Sequence, residues 1–205
     1  MSHIEVFADV SCPFTHVGLR RLVEHRRQLE RDDLRIVVKA WPLELVNGSP
    51  LAGEFVAEEI DQIRAHVAPD LFTGFRSDRF PATTLAALRL THAAYLAGDE
   101  IGERVALELR DRLFERGEDV SDPAVLEQVA HDHGIIVDGG THGGDDPVRT
   151  EWDLGRRKGV IGSPHYFGPG VDMFCPALHI EKQGEHLHIE FDEARFETFT
   201  RACFA

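Results

Sequence analysis

Cys12 is the residue whose type and position point most directly to chemistry. It follows an apolar segment, 4–8, and directly precedes Pro13, a residue favoured in the first turn of a helix. A sulfur at a helix start lies near unpaired backbone N–H groups and the positive end of the helix dipole, which favour the thiolate. The sequence therefore predicts a reactive thiol with a lowered pKa, and the alternative is a small buried hydrophobe.

The four residues after Cys12 supply candidate helpers. The hydroxyl of Thr15 is placed to donate a hydrogen bond to the sulfur, and His16 lies about one helical turn away, where its protonated ring would stabilise a thiolate. Phe14 is an apolar ring at the turn, which is typical of a groove wall. We therefore predict catalytic roles for Cys12, Thr15 and His16, and substrate contacts for Pro13 and Phe14.

The elements that must position this cysteine follow from hydrophobic periodicity. Residues 4–8 are typical of a short strand, and apolar residues recur at helical spacing from 13 to about 30. Residues 34–40 contain the run Ile36-Val37-Val38, which is typical of a buried strand. Because a helix joins the two strands, the pattern predicts a βαβ unit with parallel strands.

The pattern of apolar residues changes twice along the rest of the chain. Residues 54–134 carry apolar stripes typical of helices, and a glycine-rich loop is predicted over 138–146. A helix over 152–158, an apolar segment at 165–167, a hairpin pairing 177–181 with 186–191 and a helix over 192–202 follow. This order predicts one sheet assembled from both ends of the chain, with helices inserted between its halves.

Composition and charge exclude several classes of function. The 205 residues include 22 Lys and Arg against 36 Asp and Glu, and this net charge of −14 argues against a nucleic-acid partner. No apolar run of about 18 residues and no signal-peptide pattern is present, so we expect a cytoplasmic protein without a membrane partner. The 12 histidines form no ligand set at zinc-like spacing, so no metal site is predicted.

Two further cysteines, Cys175 and Cys203, are interpreted as buried and inert. No helix follows Cys175, and Cys203 lies at the predicted end of the last helix, where the dipole disfavours a thiolate. A disulfide between these two residues, or the participation of either in the chemistry of Cys12, stays open because spacing alone does not decide it.

Four segments resemble the DsbA-type thioredoxin-fold oxidoreductases, in particular their FrnE-like branch. They are VFADVSCPFT at 6–15, WPLE at 41–44, LFERGEDVSD at 113–122 and GVIGSP at 159–164. The resemblance implies an α/β thioredoxin-like fold, over 1–46 and 150–205, with an inserted α-helical domain over 47–149. It also implies that the last segment holds a cis-proline, so that Ser163 and Pro164 present the substrate's backbone beside Cys12.

The family's second active-site cysteine is replaced by Thr15, so Cys12 alone forms only mixed disulfides. We therefore expect a monothiol disulfide oxidoreductase acting on a disulfide-containing protein or glutathione, with no tightly bound cofactor and with glutathione as a candidate co-substrate. Ser11 beside Cys12 resembles the serine of kappa-class glutathione transferases and 2-hydroxychromene-2-carboxylate isomerases, so a glutathione-dependent isomerase or transferase is an alternative. A redox-silent binding module is a third hypothesis. The oligomeric state stays open, a homodimer included.

Overall fold

This computed structural model describes residues 3–136, 146–183 and 186–204, which contain six strands and eight α-helices. The strands are β1 (His3–Ala8), β2 (Arg35–Ala40), β3 (His165–Gly168), β4 (Val171–Phe174), β5 (Leu178–Gln183) and β6 (His186–Phe191). The helices are α1 (Pro13–Gln28), α2 (Leu43–Asn47), α3 (Gly53–His66), α4 (Leu85–Ala97), α5 (Asp99–Phe114), α6 (Pro123–Asp132), α7 (Pro147–Lys158) and α8 (Glu193–Cys203), with a 3₁₀ turn at Ser77–Arg79.

The main sheet joins the two ends of the chain in the order β2-β1-β3-β4. Strands β1 and β2 are parallel, with Ala8 opposite Ala40, which confirms the predicted βαβ unit. Strand β3 runs antiparallel to β1, with His165 opposite Phe7, and β4 runs antiparallel to β3. The C-terminal end of β1 therefore lies beside the N-terminal end of β3, where the chain enters that strand.

The alternating side chains of β1 explain why helices cover both faces of this sheet. Ile4 and Val6 are fully buried and pack with Leu22 of α1 and Phe199 of α8. The opposite face presents Phe7, which packs beneath α7. Because β1 is packed on both faces, the position of its C-terminal end is fixed. The segment that carries Cys12 starts at this end.

Helices α2 to α6 lie between β2 and α7 in the chain, as the sequence predicts. Apolar residues of α3 to α6 form one large cluster that also contains Val10 and Val17, which flank the start of α1. Helices α4, α5 and α7 pack against β2. The inserted helices are therefore in direct contact with the segment that carries Cys12.

The hairpin predicted over 177–181 and 186–191 forms as β5 and β6, with Leu178 opposite Phe191. It is a separate two-stranded sheet that packs against α3, so the prediction of one sheet containing this hairpin was wrong. The main sheet takes β3 and β4 instead, two strands of four residues that are too short to show a clear periodicity. The glycine-rich loop predicted over 138–146 lies, apart from Asp146, outside the described residues.

Gly155 allows α7 to approach the sheet closely. A Cβ atom at this position would lie 2.8 Å from a ring carbon of Trp41 and 2.9 Å from a ring carbon of Phe7. We predict that Gly155→Ala destabilises the protein. Overpacking of about 1–3 kcal/mol is only partly offset by the gain of about 1 kcal/mol in helix propensity.

Urea unfolding measures the effect of Gly155→Ala. The control is Arg157→Ala, at an exposed position of the same helix, which should change the free energy of unfolding by no more than about 0.5 kcal/mol. Equal stabilities of the two variants would contradict the packing argument.

Candidate thiol active site

Cys12 lies between the end of β1 and the start of α1. It is the residue that caps α1, with an extended backbone (φ −82°, ψ 113°), and Pro13 occupies the first turn, as predicted. The residue is only 2% exposed. Its S–H donates a hydrogen bond to the backbone carbonyl of Ser163 at 3.2 Å, so residues from both ends of the chain meet at the sulfur.

Ser163 connects the elements that surround this sulfur. Its Oγ accepts a hydrogen bond from the backbone N–H of Asp9 at 2.9 Å and shares a second one with the Thr15 hydroxyl, also at 2.9 Å. The peptide bond between Ser163 and Pro164 is cis. One serine side chain therefore ties the end of β1, the first turn of α1 and the chain entering β3 together.

The ionisation of Cys12 reflects two opposing effects. Burial raises the pKa of the thiol, whereas hydrogen bonds from the side chains of Ser163 and Thr15 and from the Thr15 backbone lower it. Burial is the larger effect, so the pKa lies above its ordinary value and the prediction of a lowered pKa was wrong for this arrangement. The helix start is present, but the sulfur next to it is shielded from water, and its S–H donates a hydrogen bond to a carbonyl.

The ring of His16 interacts with Glu115 and not with the Cys12 sulfur. It is buried, its Nε2 lies 2.7 Å from Oε1 of Glu115, and it packs against Phe72 and Phe114 with ring centroids 5.2 and 5.1 Å away. Burial lowers the pKa of His16, although its hydrogen bond with Glu115 opposes this. The predicted role of a protonated His16 in stabilising the thiolate was therefore wrong.

Glu115 is the ionised partner in this pair. Burial raises the pKa of its carboxyl, but hydrogen bonds from His16 and from the backbone N–H groups of Phe72 and Thr73 outweigh it and lower the pKa to about 2. The His16–Glu115 contact thus attaches α1 to the inserted helices, which is a structural role.

Pro13 and Phe14, which the sequence places at the substrate side, differ in exposure. Pro13 is buried, and Phe14 is half-buried against the apolar cluster of the inserted helices. The half-burial of Phe14 is compatible with its expected position in a groove wall. Substrate contacts by either residue remain a prediction.

Asp9 holds the turn that leads to Cys12, and sequence reasoning missed it. Its Oδ1 accepts hydrogen bonds from the backbone N–H and the hydroxyl of Ser11, both at 2.9 Å. Its Oδ2 accepts from the backbone N–H of Leu43 at 2.6 Å and from the Thr84 hydroxyl at 3.2 Å. Burial raises the pKa of Asp9, and these donors oppose the rise. An aspartate two residues before a serine is a recognisable turn signal.

Arg110 of α5 places a positive charge beneath the same turn. Its guanidinium is 1% exposed and donates to the carbonyls of Asp9 at 3.0 Å and Ala106 at 2.6 Å. Burial lowers the pKa of Arg110, while the negative charges of Asp9 and of an ionised Cys12 raise it. An arginine remains charged in a protein, so by reciprocity this cation favours the thiolate form of Cys12.

Glu59 of α3 is the second buried carboxyl that sequence reasoning missed. It lies on the same helix face as the apolar residues Val56, Ile60 and Ile63. Burial raises its pKa from 4.5 to about 8. It lies close enough to Cys12 for its negative charge to raise the pKa of the thiol. A charged residue type on the apolar face of a helix was the available signal.

The three cysteines are free and buried. Burial raises the pKa of Cys203 to about 12, and burial together with the charge of an ionised Cys12 raises that of Cys175 to about 12. The backbone N–H of Cys175 donates to the carbonyl of Pro164 at 2.9 Å, whereas Cys203 packs in the sheet core with α1 and α8. Cys175 is thus the neighbour of the site, and Cys203 is not.

The described ranges lack two further kinds of feature, a metal-binding cluster and a membrane-spanning helix. Within them, no group of three or more His, Cys, Asp or Glu side chains is arranged to hold a metal ion. No helix in the same ranges has the length and apolar character needed to cross a membrane.

A cysteine at the first strand-to-helix turn, facing a cis-proline from a neighbouring strand, defines a thioredoxin-type thiol site. The sequence model of the DSBA-like thioredoxin domain family matches residues 3–188. The chain therefore belongs to the DSBA-like thioredoxin domain family, and the predicted thioredoxin-like fold with inserted helices is confirmed. No protein with a curated description matches the chain in sequence.

Solved structures share this fold at low sequence identity. A probable DsbA oxidoreductase from Streptomyces coelicolor is 18% identical, with a TM-score of 0.66 over 98% of this chain and 90% of that one. The cytosolic disulfide reductase DsbM from Pseudomonas aeruginosa, also solved with GSH, is 13% identical, with a TM-score of 0.58 over 97% and 95%. A 2-hydroxychromene-2-carboxylate isomerase is 12% identical, with a TM-score of 0.59 over 84% and 88%.

We predict that Glu59 makes stability depend on pH. Between its ordinary pKa of 4.5, expected in the unfolded chain, and about 8 in the folded protein, the folded state binds more protons. Stability therefore falls as pH rises through this window, by at most about 1.4 kcal/mol per pH unit. Glu59→Gln should remove this part of the pH dependence.

Urea unfolding at a series of pH values from 5 to 8 measures the difference between wild type and Glu59→Gln. Glu58→Gln, which changes the exposed neighbour on the same helix, is the matched control and should follow the wild type. If the stability curves of wild type and Glu59→Gln stay parallel, the carboxyl does not titrate as the structure indicates.

We also predict that Thr15→Val raises the pKa of Cys12. The substitution keeps the shape of the side chain but removes the hydroxyl that lowers the pKa of the thiol. The pH dependence of alkylation by iodoacetamide reports the ionisation of the sulfur. Thr91→Val, which removes a buried hydroxyl bonded to Ala87 in α4, is the control and should leave the midpoint unchanged. An unchanged midpoint in Thr15→Val would exclude a role for Thr15 in the ionisation.

Proposed function

We propose that this protein is a thiol–disulfide oxidoreductase of DsbA type in which Cys12 is the attacking sulfur. The observation that carries the proposal is the contact between Cys12 Sγ and the Ser163 carbonyl beside Pro164, at the first helix start of this family's fold. The named activities of the similar structures, a disulfide reductase and a DsbA oxidoreductase, support the same class of enzyme.

The proposed reaction begins when the Cys12 thiolate attacks one sulfur of a disulfide. A bond forms between Cys12 and that sulfur, the original S–S bond breaks, and the other sulfur leaves with the electron pair. Thr15 stands where a second cysteine of the motif would be, so the mixed disulfide is resolved by an external thiol. Glutathione is the proposed external thiol, which the GSH-bound structure of DsbM supports.

The surroundings of Cys12 fit a sulfur that must ionise despite its burial. The Thr15 hydroxyl and the Arg110 charge favour the thiolate. Ser163 and Pro164 contact the substrate beside Cys12 in this proposal, with Pro13 and Phe14 on the helix side. Ile161, an apolar residue that is 73% exposed two residues before Ser163, offers a further contact to a peptide substrate.

Two alternatives each have an observation in their favour. The fold shared with a 2-hydroxychromene-2-carboxylate isomerase and the serine beside Cys12 favour a glutathione-dependent isomerase or transferase. The Ser11 hydroxyl, however, is buried and donates a hydrogen bond to Asp9, which leaves it poorly placed to act on glutathione. The raised pKa of Cys12 favours a redox-silent binding module. A cytoplasmic location, which the cytosolic DsbM supports, and a homodimer remain predictions.

Cys12→Ser should abolish exchange, because it removes the attacking sulfur. We expect the rate of reduction of hydroxyethyl disulfide by glutathione to fall by at least about 100-fold. Intact mass spectrometry after incubation with oxidised glutathione should show one adduct on the wild type and none on Cys12→Ser. Cys203→Ser is the matched control, since this buried cysteine lies outside the site, and it should keep the wild-type rate.

The other outcomes identify the alternatives. Turnover of chlorodinitrobenzene with glutathione, without disulfide exchange, would replace the proposal by a transferase. A wild-type protein without either activity and without an adduct would be a binding module. Loss of activity in Cys175→Ser together with an internal disulfide in the wild type would contradict the monothiol mechanism.

A further inference from the structure

His165 is a buried histidine that the chemistry of Cys12 described above does not use. It is the first residue of β3 and is 4% exposed. Its partners across the sheet are Phe7 on β1 and Phe174 on β4, and its ring lies parallel to that of Phe167, with centroids 4.6 Å apart. Another aromatic residue would satisfy this packing, so what distinguishes a histidine at this position is its two ring nitrogens.

Both ring nitrogens of His165 have hydrogen-bond partners. Nε2 lies 2.8 Å from Oδ1 of the exposed Asp172 on β4, and Nδ1 accepts a hydrogen bond from the backbone N–H of Ile161 at 3.3 Å. Because a backbone N–H can only donate, Nδ1 carries no proton, so the ring is neutral and its proton lies on Nε2, toward Asp172. A stacked and buried ring has a fixed position, and His165 therefore holds the backbone at Ile161 in place.

Ile161 lies in the short segment that leads from α7 to the sulfur. Val160 before it belongs to the apolar cluster between the sheet and α7. Ser163, two residues after it, is 6% exposed and accepts the hydrogen bond from Cys12. Ile161 itself is 73% exposed. An apolar side chain thus projects into solvent between two anchored neighbours, and His165 fixes the backbone from which it projects.

We propose that His165 is the positioning residue of a peptide-binding subsite at Ile161, because it holds the Ile161 backbone so that the exposed side chain meets an apolar residue of the substrate. This inference rests on the proposed function and deepens it by naming the substrate class. The preferred substrate is a disulfide within an extended peptide that carries an apolar side chain near its cysteine. The exchange reaction at Cys12 is unchanged.

The physical reason lies in how an extended peptide binds beside a strand. Backbone hydrogen bonds give such binding its affinity, and alternate side chains give it specificity. The Ile161 N–H already donates to His165, so a peptide cannot use this donor and meets the side chain of Ile161 instead. A peptide residue two positions from the cysteine lies about 7 Å away along an extended chain. The same two-residue step separates Ile161 from Ser163, so an apolar residue at that position would cover the isoleucine.

The test uses two peptides, each joined to glutathione by a disulfide through its single cysteine. One peptide has leucine two positions from the cysteine on either side, and the other has serine at both places. With glutathione as reductant, the wild type should show a KM about tenfold lower for the leucine peptide, the change expected for covering one apolar side chain. The kcat values should be equal, because such a contact acts in the ground state and the transition state alike.

His165→Leu removes the acceptor and keeps an apolar side chain. It should raise the KM for the leucine peptide about tenfold, to that of the serine peptide. His165→Asn places its Oδ1 where Nδ1 lies and should restore the preference to within about threefold. The control is His188→Leu on β6, which should behave like the wild type. An equal loss with both peptides, or no restoration by asparagine, would indicate a purely structural role and overturn the proposal.

A combination of variants shows whether His165 acts through Ile161. Ile161→Ser should abolish the preference for the leucine peptide, and adding His165→Leu to it should cause no further loss, because the two changes remove the same contact. A further loss of about tenfold in the double variant would show that His165 acts elsewhere and would overturn the assignment.

Nitrogen NMR of the wild type does not depend on the folding of a variant. At pH 8 the Nδ1 atom of His165 should be unprotonated and coupled to the Ile161 amide across the hydrogen bond, and a proton on Nδ1 would overturn the proposal. Equal KM values for the two peptides in the wild type would refute the subsite alone. A wild type that exchanges neither peptide nor hydroxyethyl disulfide would refute the proposed function itself.

Discussion

The contact between the Cys12 sulfur and the Ser163 carbonyl is the interaction on which the arrangement of this protein depends. It forms only because β1 and β3 are neighbours in the sheet, with Phe7 opposite His165, and because α1 begins directly after Cys12. The hydrogen bonds of the Ser163 hydroxyl to Asp9 and Thr15 add two further links at the same place. The geometry of the site thus results from the joining of the two chain ends, and not from the local Cys-Pro sequence alone.

The same contact creates an electrostatic conflict. A sulfur held against a carbonyl and shielded from water prefers to keep its proton, whereas exchange chemistry requires the thiolate. Arg110, buried beneath the turn and bonded to the Asp9 carbonyl, is the nearby charge that favours ionisation. Glu59 acts in the opposite direction when it is ionised, and burial raises the pKa of its carboxyl to about 8.

The local parts of this arrangement were accessible from the sequence, and the long-range parts were not. The β1-α1-β2 unit and the position of Cys12 follow from hydrophobic periodicity and from a proline in a first helical turn. The cis peptide bond before Pro164 followed from a family resemblance. The partner of His16 could not be predicted, because Glu115 lies 99 residues further along the chain. The burial of Arg110 depends likewise on how the inserted helices pack, for which no local pattern exists. For Glu59 the one local signal was its position on the apolar face of α3.

Thr15 shows how one replacement changes what such a site can do. A hydroxyl at this position bonds to Ser163 and lowers the pKa of Cys12, so it supports the sulfur electrostatically, but it cannot resolve a mixed disulfide. Cys175 lies behind Pro164 with its N–H bonded to the Pro164 carbonyl, yet burial holds its pKa near 12, so it is rarely a thiolate at neutral pH. These two facts together are the reason for proposing that an external thiol resolves the mixed disulfide. An external thiol must approach a sulfur that is almost entirely buried, which makes access to Cys12 as important for turnover as its ionisation.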